Sequence, residues 1–128
     1  MDTGTGVKTD PTLPIAQSMK AWVLGNPGEL KLAEKPVPAP KRAEVLVRID
    51  AVAICATDLE IIDHGSPALI GGGMPFNKNF TPGHEYMGTV VALGPGVDEY
   101  RIGQRVTVEI HAGCGQCKRC RQIGRAHV

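Results

Sequence analysis

The stretch Glu44-Val45-Leu46-Val47-Arg48-Ile49-Asp50-Ala51-Val52-Ala53-Ile54, followed at once by Cys55-Ala56-Thr57-Asp58, decides how the rest of the chain is read. Its apolar positions Val45, Val47, Ile49 and Val52 form a long β-type run. Such a strand needs others beside it, and the flanking sequence supplies them. Upstream, Lys20 to Leu24 and Glu29 to Glu34, the latter with Leu30 and Leu32 alternating, read as two strands joined by a turn at Asn26-Pro27-Gly28, which predicts a hairpin. Pro36, Pro38 and Pro40 then impose an extended linker. Downstream, Asp58 to Asp63 fits one short helix, stopped by Gly65 and Pro67. The glycine-rich segment from His64 to Pro82 has no single reading. Met87 to Leu93 and Arg105 to Ile110 are the next strand candidates, linked by Gly94-Pro95-Gly96 and a turn around Ile102-Gly103. Short strands without an internal repeat, and without helices long enough to cover a sheet, predict a mostly β fold: a partly open β-barrel with short helices. Residues 1–18 show no sustained hydrophobic period and are expected to form a flexible tail, with the fold starting at Met19.

The bulk composition narrows the partners. A length of 128 residues, 42% of them hydrophobic but only 4% aromatic, fits one compact core built from small aliphatic side chains. Sixteen Gly and ten Pro cut the chain into short runs, which suits strands and loops better than a helical bundle. Fourteen basic against thirteen acidic residues leave a net charge of +1, so no electrostatic footprint points to nucleic acid or an anionic membrane, and a small-molecule partner is expected. No run approaches the roughly 18 apolar residues of a membrane span, and the start lacks an apolar stretch suited to a secretory signal. Three of the four cysteines lie within seven residues, a spacing for metal ligation more than for disulfides. A cytoplasmic, reducing location is the expectation.

Two clusters carry chemistry. Gly113-Cys114-Gly115-Gln116-Cys117-Lys118-Arg119-Cys120 presents three thiols at a C-x2-C-x2-C spacing. Zinc takes about four ligands in a tetrahedron with sulfur near 2.3 Å, and thiols on a tight glycine-bearing loop can supply three of them. Lys118 and Arg119 would favour the thiolates that bind metal. The alternative is three unligated thiols on a surface loop, exposed to oxidation. The second cluster is split between Cys55 and Gly83-His84-Glu85: a thiolate, an imidazole and a carboxylate, the mixed set a catalytic zinc uses when one position stays open. Taken alone, Cys55 also reads as a small core residue and His84 as a hydrogen-bonded structural histidine.

Cys55-Ala56-Thr57-Asp58, Pro82-Gly83-His84-Glu85-Tyr86-Met87-Gly88, Gly94-Pro95-Gly96-Val97, Ile102-Gly103-Gln104-Arg105-Val106 and the cysteine loop, in that order, resemble the GroES-like domain of zinc-dependent medium-chain alcohol dehydrogenases. The resemblance runs from Met19 to about Gln122. It implies a GroES-like, partly open β-barrel with a zinc loop. It implies that Cys55 and His84 bind catalytic zinc, with Glu85 as a ligand or close neighbour, and that Cys114, Cys117 and Cys120 bind structural zinc. Thr57 matches a hydroxyl that passes the substrate's proton outward, and Asp58 a carboxylate that orients His84; a helix cap is the other duty open to each, and each can serve in both capacities. The implied reaction is oxidation of a small alcohol or polyol by hydride transfer to NAD or NADP, in a homo-oligomeric parent. Tyr86-Met87 looks more like the polyol, butanediol and threonine dehydrogenase branches than the simple-alcohol enzymes. His64 and His111 match no role and are expected to be surface or structural residues.

The chain departs from this pattern in two places. No Gly-x-Gly-x-x-Gly follows a strand and opens a helix, so no dinucleotide fingerprint is present. A fourth structural Cys is expected at position 128, which holds Val128. The ending Ile123-Gly124-Arg125-Ala126-His127-Val128 resembles a translated sequencing adapter, which predicts a non-native end over 123–128 and a truncated domain over 19–122. A fragment so truncated is expected to bind zinc but to lack redox activity. The competing classes are a non-enzymatic module, either a co-chaperonin-like subunit or a metal-binding adaptor, and a zinc-free reductase relative. Cys55, His84 and the thiol loop argue against the first form of the module, and His84 against the reductase.

Overall fold

The structure, a computed structural model, describes residues 6–65, 79–110 and 116–123. Its centre is a pairing between the two apolar runs. Strand β4 (Val45–Ala53) lies antiparallel to β5 (Glu85–Leu93), from Val45 opposite Leu93 to Ala53 opposite Glu85, with register irregularities at Leu46/Val47 and Ile49/Ala51. On its other edge β5 carries two short strands, β1 (Lys8–Thr9) against Leu93 and Ala92, and β6 (Arg105–Thr107) against Met87 to Thr89. This central position explains why β5 is buried from Gly88 to Leu93 without alternation: both faces and both edges of that half are covered. Val90, Leu93 and Val97 form the core, packed by Val45, Val47, Ile102 and Val106. Burying side chains of this size contributes roughly 1.5–3 kcal/mol each.

The hairpin β2 (Ser18–Leu24) to β3 (Leu30–Pro36) is a separate two-stranded sheet, and its turn closes as expected at Asn26, whose carbonyl accepts the Glu29 N–H at 2.9 Å. A single bridge, Leu24 to Phe80, joins it to the segment entering β5. The sheets do not close among the described residues, so the mostly β, partly open barrel stands. Its open side is β4, where Ile49 and Val52 are about half exposed.

Four expectations change. Residues 6–18 are not detached from the sheet, because β1 pairs with β5, and the turn after it is tied by Asp10, whose Oδ1 accepts the Thr12 hydroxyl and amide at 2.7 and 2.8 Å. Those bonds hold the Asp10 carboxyl below its ordinary range. The short helix α1 (Ala56–His64) begins two residues before Asp58, with Cys55 as its N-cap in place of Thr57 or Asp58. The run Arg105 to Ile110 is a strand only to Thr107; one further amide, that of Val108, reaches the Tyr86 carbonyl at 3.2 Å. The thiol loop continues into a second short helix, α2 (Lys118–Ile123), which its spacing did not signal. His64 ends α1 on the exposed surface, as expected, while His111 lies outside the described residues.

Candidate metal centre

Two strand ends meet to make the site. Where β4 stops, Cys55 takes an extended backbone (φ −113°, ψ 174°) and starts α1, which places Asp58 in the first helical turn. Helix starts leave N–H groups without intrahelical partners. Asp58 serves this one: its Oδ2 accepts the Cys55 N–H at 3.0 Å. The same carboxylate is only 3% exposed and turns its Oδ1 to His84 Nδ1, 3.1 Å away. His84 arrives on the other side through Pro82 and Gly83. Gly83 sits at φ +116°, a backbone that side-chain-bearing residues rarely adopt, and a Cβ there would lie 3.3 Å from Val52 Cγ2.

This geometry sets the chemistry of the imidazole. A buried carboxylate facing Nδ1 assigns the ring proton to Nδ1, which leaves the Nε2 lone pair free for a metal. Nε2 faces Cys55 Sγ at 3.3 Å. A tetrahedral zinc with Zn–S near 2.3 Å and Zn–N near 2.0–2.1 Å would hold these atoms about 3.5 Å apart, so the pair needs to move only by tenths of an ångström. Glu85 Oε1 stands 3.9 Å from the same Nε2, on an exposed side chain. Asp58 also lies within ligand distance of Cys55 and His84, but both its oxygens already face N–H groups and it sits behind the ring. Its geometry is that of an orienting group. Beside Glu85 runs an apolar groove of about 500 Å³ that includes Val52, Ala53, Met87, Val108 and Ile110.

The residues singled out in the sequence divide clearly. Cys55, Asp58 and His84 come together, with Glu85 at the edge. Thr57 lies exposed on the first turn of α1, beside the cluster in sequence. In the thiol loop, Cys117 is half-buried and Cys120 buried, and the Cys120 amide donates to Cys117 Sγ at 3.4 Å. Cys114 lies outside the described residues. Sequence reasoning missed Lys35, whose ammonium bonds the segment leading to His84; a contact across 44 and 46 positions leaves no local signal.

Residues 41–128 match the model of the alcohol dehydrogenase GroES-like domain, which is more than half of the chain. The chain belongs to that family. The domain is 38% identical over 111 residues to the sorbitol dehydrogenase of Bacillus subtilis, which covers 87% of this chain and 30% of that protein. It is 46% identical over 99 residues to the L-threonine 3-dehydrogenase of Stenotrophomonas maltophilia, covering 76% of this chain and 27% of that one. In structure it is similar to a cobalt- and zinc-bound thermostable alcohol dehydrogenase from Pyrobaculum aerophilum, at a TM-score of 0.69 and 32% identity over 80% of this chain and 30% of that chain. The chain thus spans about 30% of the length of the relatives it matches.

Proposed function

We propose that this domain carries the catalytic zinc of an NAD(P)-dependent dehydrogenase acting on small alcohols or polyols. The observation that supports this most is the convergence of Cys55 Sγ and His84 Nε2 at 3.3 Å, with Asp58 behind the ring. Zinc held there supplies a Lewis acid that lowers the pKa of an alcohol. Cys55 and His84 bind it, and Glu85 closes or borders the set. Asp58 holds the Nδ1–H and keeps the imidazole in the binding tautomer. Thr57, exposed at the start of α1, passes the alcohol proton towards solvent. The apolar groove beside Glu85 suits the carbon chain of a small substrate. The hydride acceptor is NAD or NADP, whose glycine fingerprint these 128 residues do not contain, so the chain by itself supplies the zinc side of the reaction only. Cys114, Cys117 and Cys120 are proposed to hold a second, structural zinc. Among the described residues no helix is long and apolar enough to cross a membrane. A cytoplasmic setting suits the clustered thiols.

Two of the relatives act, by name, on sorbitol and L-threonine, which favours a secondary alcohol or polyol over a simple primary alcohol as substrate. The test is nucleotide reduction by the full-length protein that carries this domain, over sorbitol, butane-2,3-diol and L-threonine with NAD and with NADP. Turnover of at least one is expected. Thr57→Ala should lower kcat by about 10²–10⁴-fold while Thr57→Ser retains most of it, the range for a lost proton-transfer group. No turnover with any of these alcohols, by protein with a full zinc complement, would refute the substrate class.

Asp58→Asn tests the orienting role separately. The amide keeps the shape but turns one acceptor into a donor, so either the Cys55 N–H or the His84 Nδ1–H loses its partner. Zinc affinity, measured by competition with a chromophoric chelator, should fall about 10–100-fold, as for other residues that orient a ligand. An unchanged affinity would mean that Asp58 only caps the helix.

A further inference from the structure

The ligand-bearing segments enter the site from opposite directions, and the hairpin β2–β3 touches both. At its tip, the Gly28 N–H donates to the Ile62 carbonyl of α1 at 2.7 Å, and Pro27 Cγ lies 3.5 Å from where a Cβ on Gly65 would stand. At the turn end of β2, the fully buried Leu24 donates its N–H to the Phe80 carbonyl at 2.8 Å. At its base, Lys35 Nζ donates to the Asn79 carbonyl at 3.0 Å and to Thr81 Oγ1 at 3.2 Å. The hairpin is not part of the sheet that contains β4 and β5. Its contacts therefore act as a brace from outside that sheet.

From Thr81 to His84 only Pro82 and Gly83 intervene. Pro82 has a fixed φ, whereas Gly83 is the most permissive residue available and by itself would let the histidine swing. Resting on the metal-ligand reading of His84, we infer that Lys35 is a positioning residue: by anchoring Asn79 and Thr81 it sets where Gly83 releases His84, and hence the gap between the imidazole and Cys55. Metal sites tolerate displacements of only about half an ångström, so an anchor three residues away is close enough to matter. Two charge-assisted bonds from one ammonium resist a slide of the segment better than either alone.

The experiment uses the 128-residue chain, as wild type, Lys35→Met, which keeps the aliphatic stem and removes the donors, and Lys35→Arg, which restores them. In the metal-free chain, long-range ¹H–¹⁵N spectra of the imidazoles report the tautomer and order of His84. Wild type and Lys35→Arg should show one Nδ1–H form, and Lys35→Met an averaged spectrum. Cobalt titration should then show binding about three- to tenfold weaker in Lys35→Met, the worth of one net hydrogen bond or a little more, while the amide signals of β4 and β5 stay in place. A His84 spectrum identical in wild type and Lys35→Met overturns the inference. Absence of any Cys55-dependent cobalt band in the wild type would instead sink the metal-ligand reading, while the imidazole spectra still decide the role of Lys35. Should Lys35→Met fail to fold, Thr81→Val removes one acceptor alone and should give a partial version of the same spectral change; no change there also overturns the inference.

Discussion

Gly94→Ala is expected to leave the chain largely unfolded in water. A Cβ at that position would stand 1.9 Å from the Lys41 carbonyl oxygen and 2.8 Å from that of Glu44. Neither oxygen can retreat cheaply. The Glu44 carbonyl accepts the Gly94 N–H at 2.8 Å, the Lys41 carbonyl accepts the Glu44 N–H at 3.1 Å, and the Ala43 N–H, at a positive φ of 62°, donates to the Pro95 carbonyl at 2.9 Å. Two turns are thus interlocked through their backbones, with Gly94 at the closest approach. Relieving the clash means separating them, and the loss should exceed about 4 kcal/mol, in the exceptional range for one substitution. That is comparable to the whole stability of a small domain, about 5–15 kcal/mol. Gly96 is the control: its φ is +80°, but the space around it is open, with Arg42 atoms no nearer than 3.8 Å. Gly96→Ala should cost about 1–2 kcal/mol, the strain of a left-handed residue. Urea unfolding followed by circular dichroism separates the cases, and equal midpoints for the two variants would contradict the interlock.

His84→Ala should remove metal binding at the centre while sparing the fold. The ring is about one-third exposed and contributes little core, so its loss leaves β4, β5 and the Val90 cluster in place. What it takes away is Nε2, the partner of Cys55 at 3.3 Å, and it leaves the buried Asp58 with one facing N–H, that of Cys55. Cobalt affinity should fall by more than the roughly 10–100-fold expected for an orienting residue, because a direct ligand is gone. Titration monitored by the thiolate-to-cobalt band of Cys55 checks this. A band of undiminished affinity in His84→Ala would remove the imidazole from the site.

Much of this was legible in the sequence, for definite reasons. β4 and β5 announce themselves because β-branched apolar residues recur through both runs, and the hairpin because Asn26-Pro27-Gly28 interrupts two strand-type runs. β1 does not, because a two-residue strand has no period, and its place depends on the free edge at Leu93 and Ala92. The end of β6 at Thr107 is likewise a matter of where β5 stops offering partners. At the site, Cys55 and His84 could be paired across 29 positions only through the order of motifs shared with a family, since neither residue alone distinguishes a ligand from a core or structural side chain. For Asp58 the sequence allowed a cap, an orienting group or both, and its two oxygens face the Cys55 N–H and His84 Nδ1 at once. Lys35 was invisible, because a lysine in a strand is ordinary until the segment it anchors is seen.

The central claim is that Cys55 and His84 hold zinc, and it is tested most directly by elemental analysis of the purified 128-residue chain beside its Cys55→Ala variant. The Cys55→Ala protein should carry about one zinc per chain less than the wild type, with the fold retained by circular dichroism. A Cys114→Ala variant in the same series isolates the thiol loop, so loss there is not mistaken for loss at the centre. Equal zinc in wild type and Cys55→Ala would contradict the account.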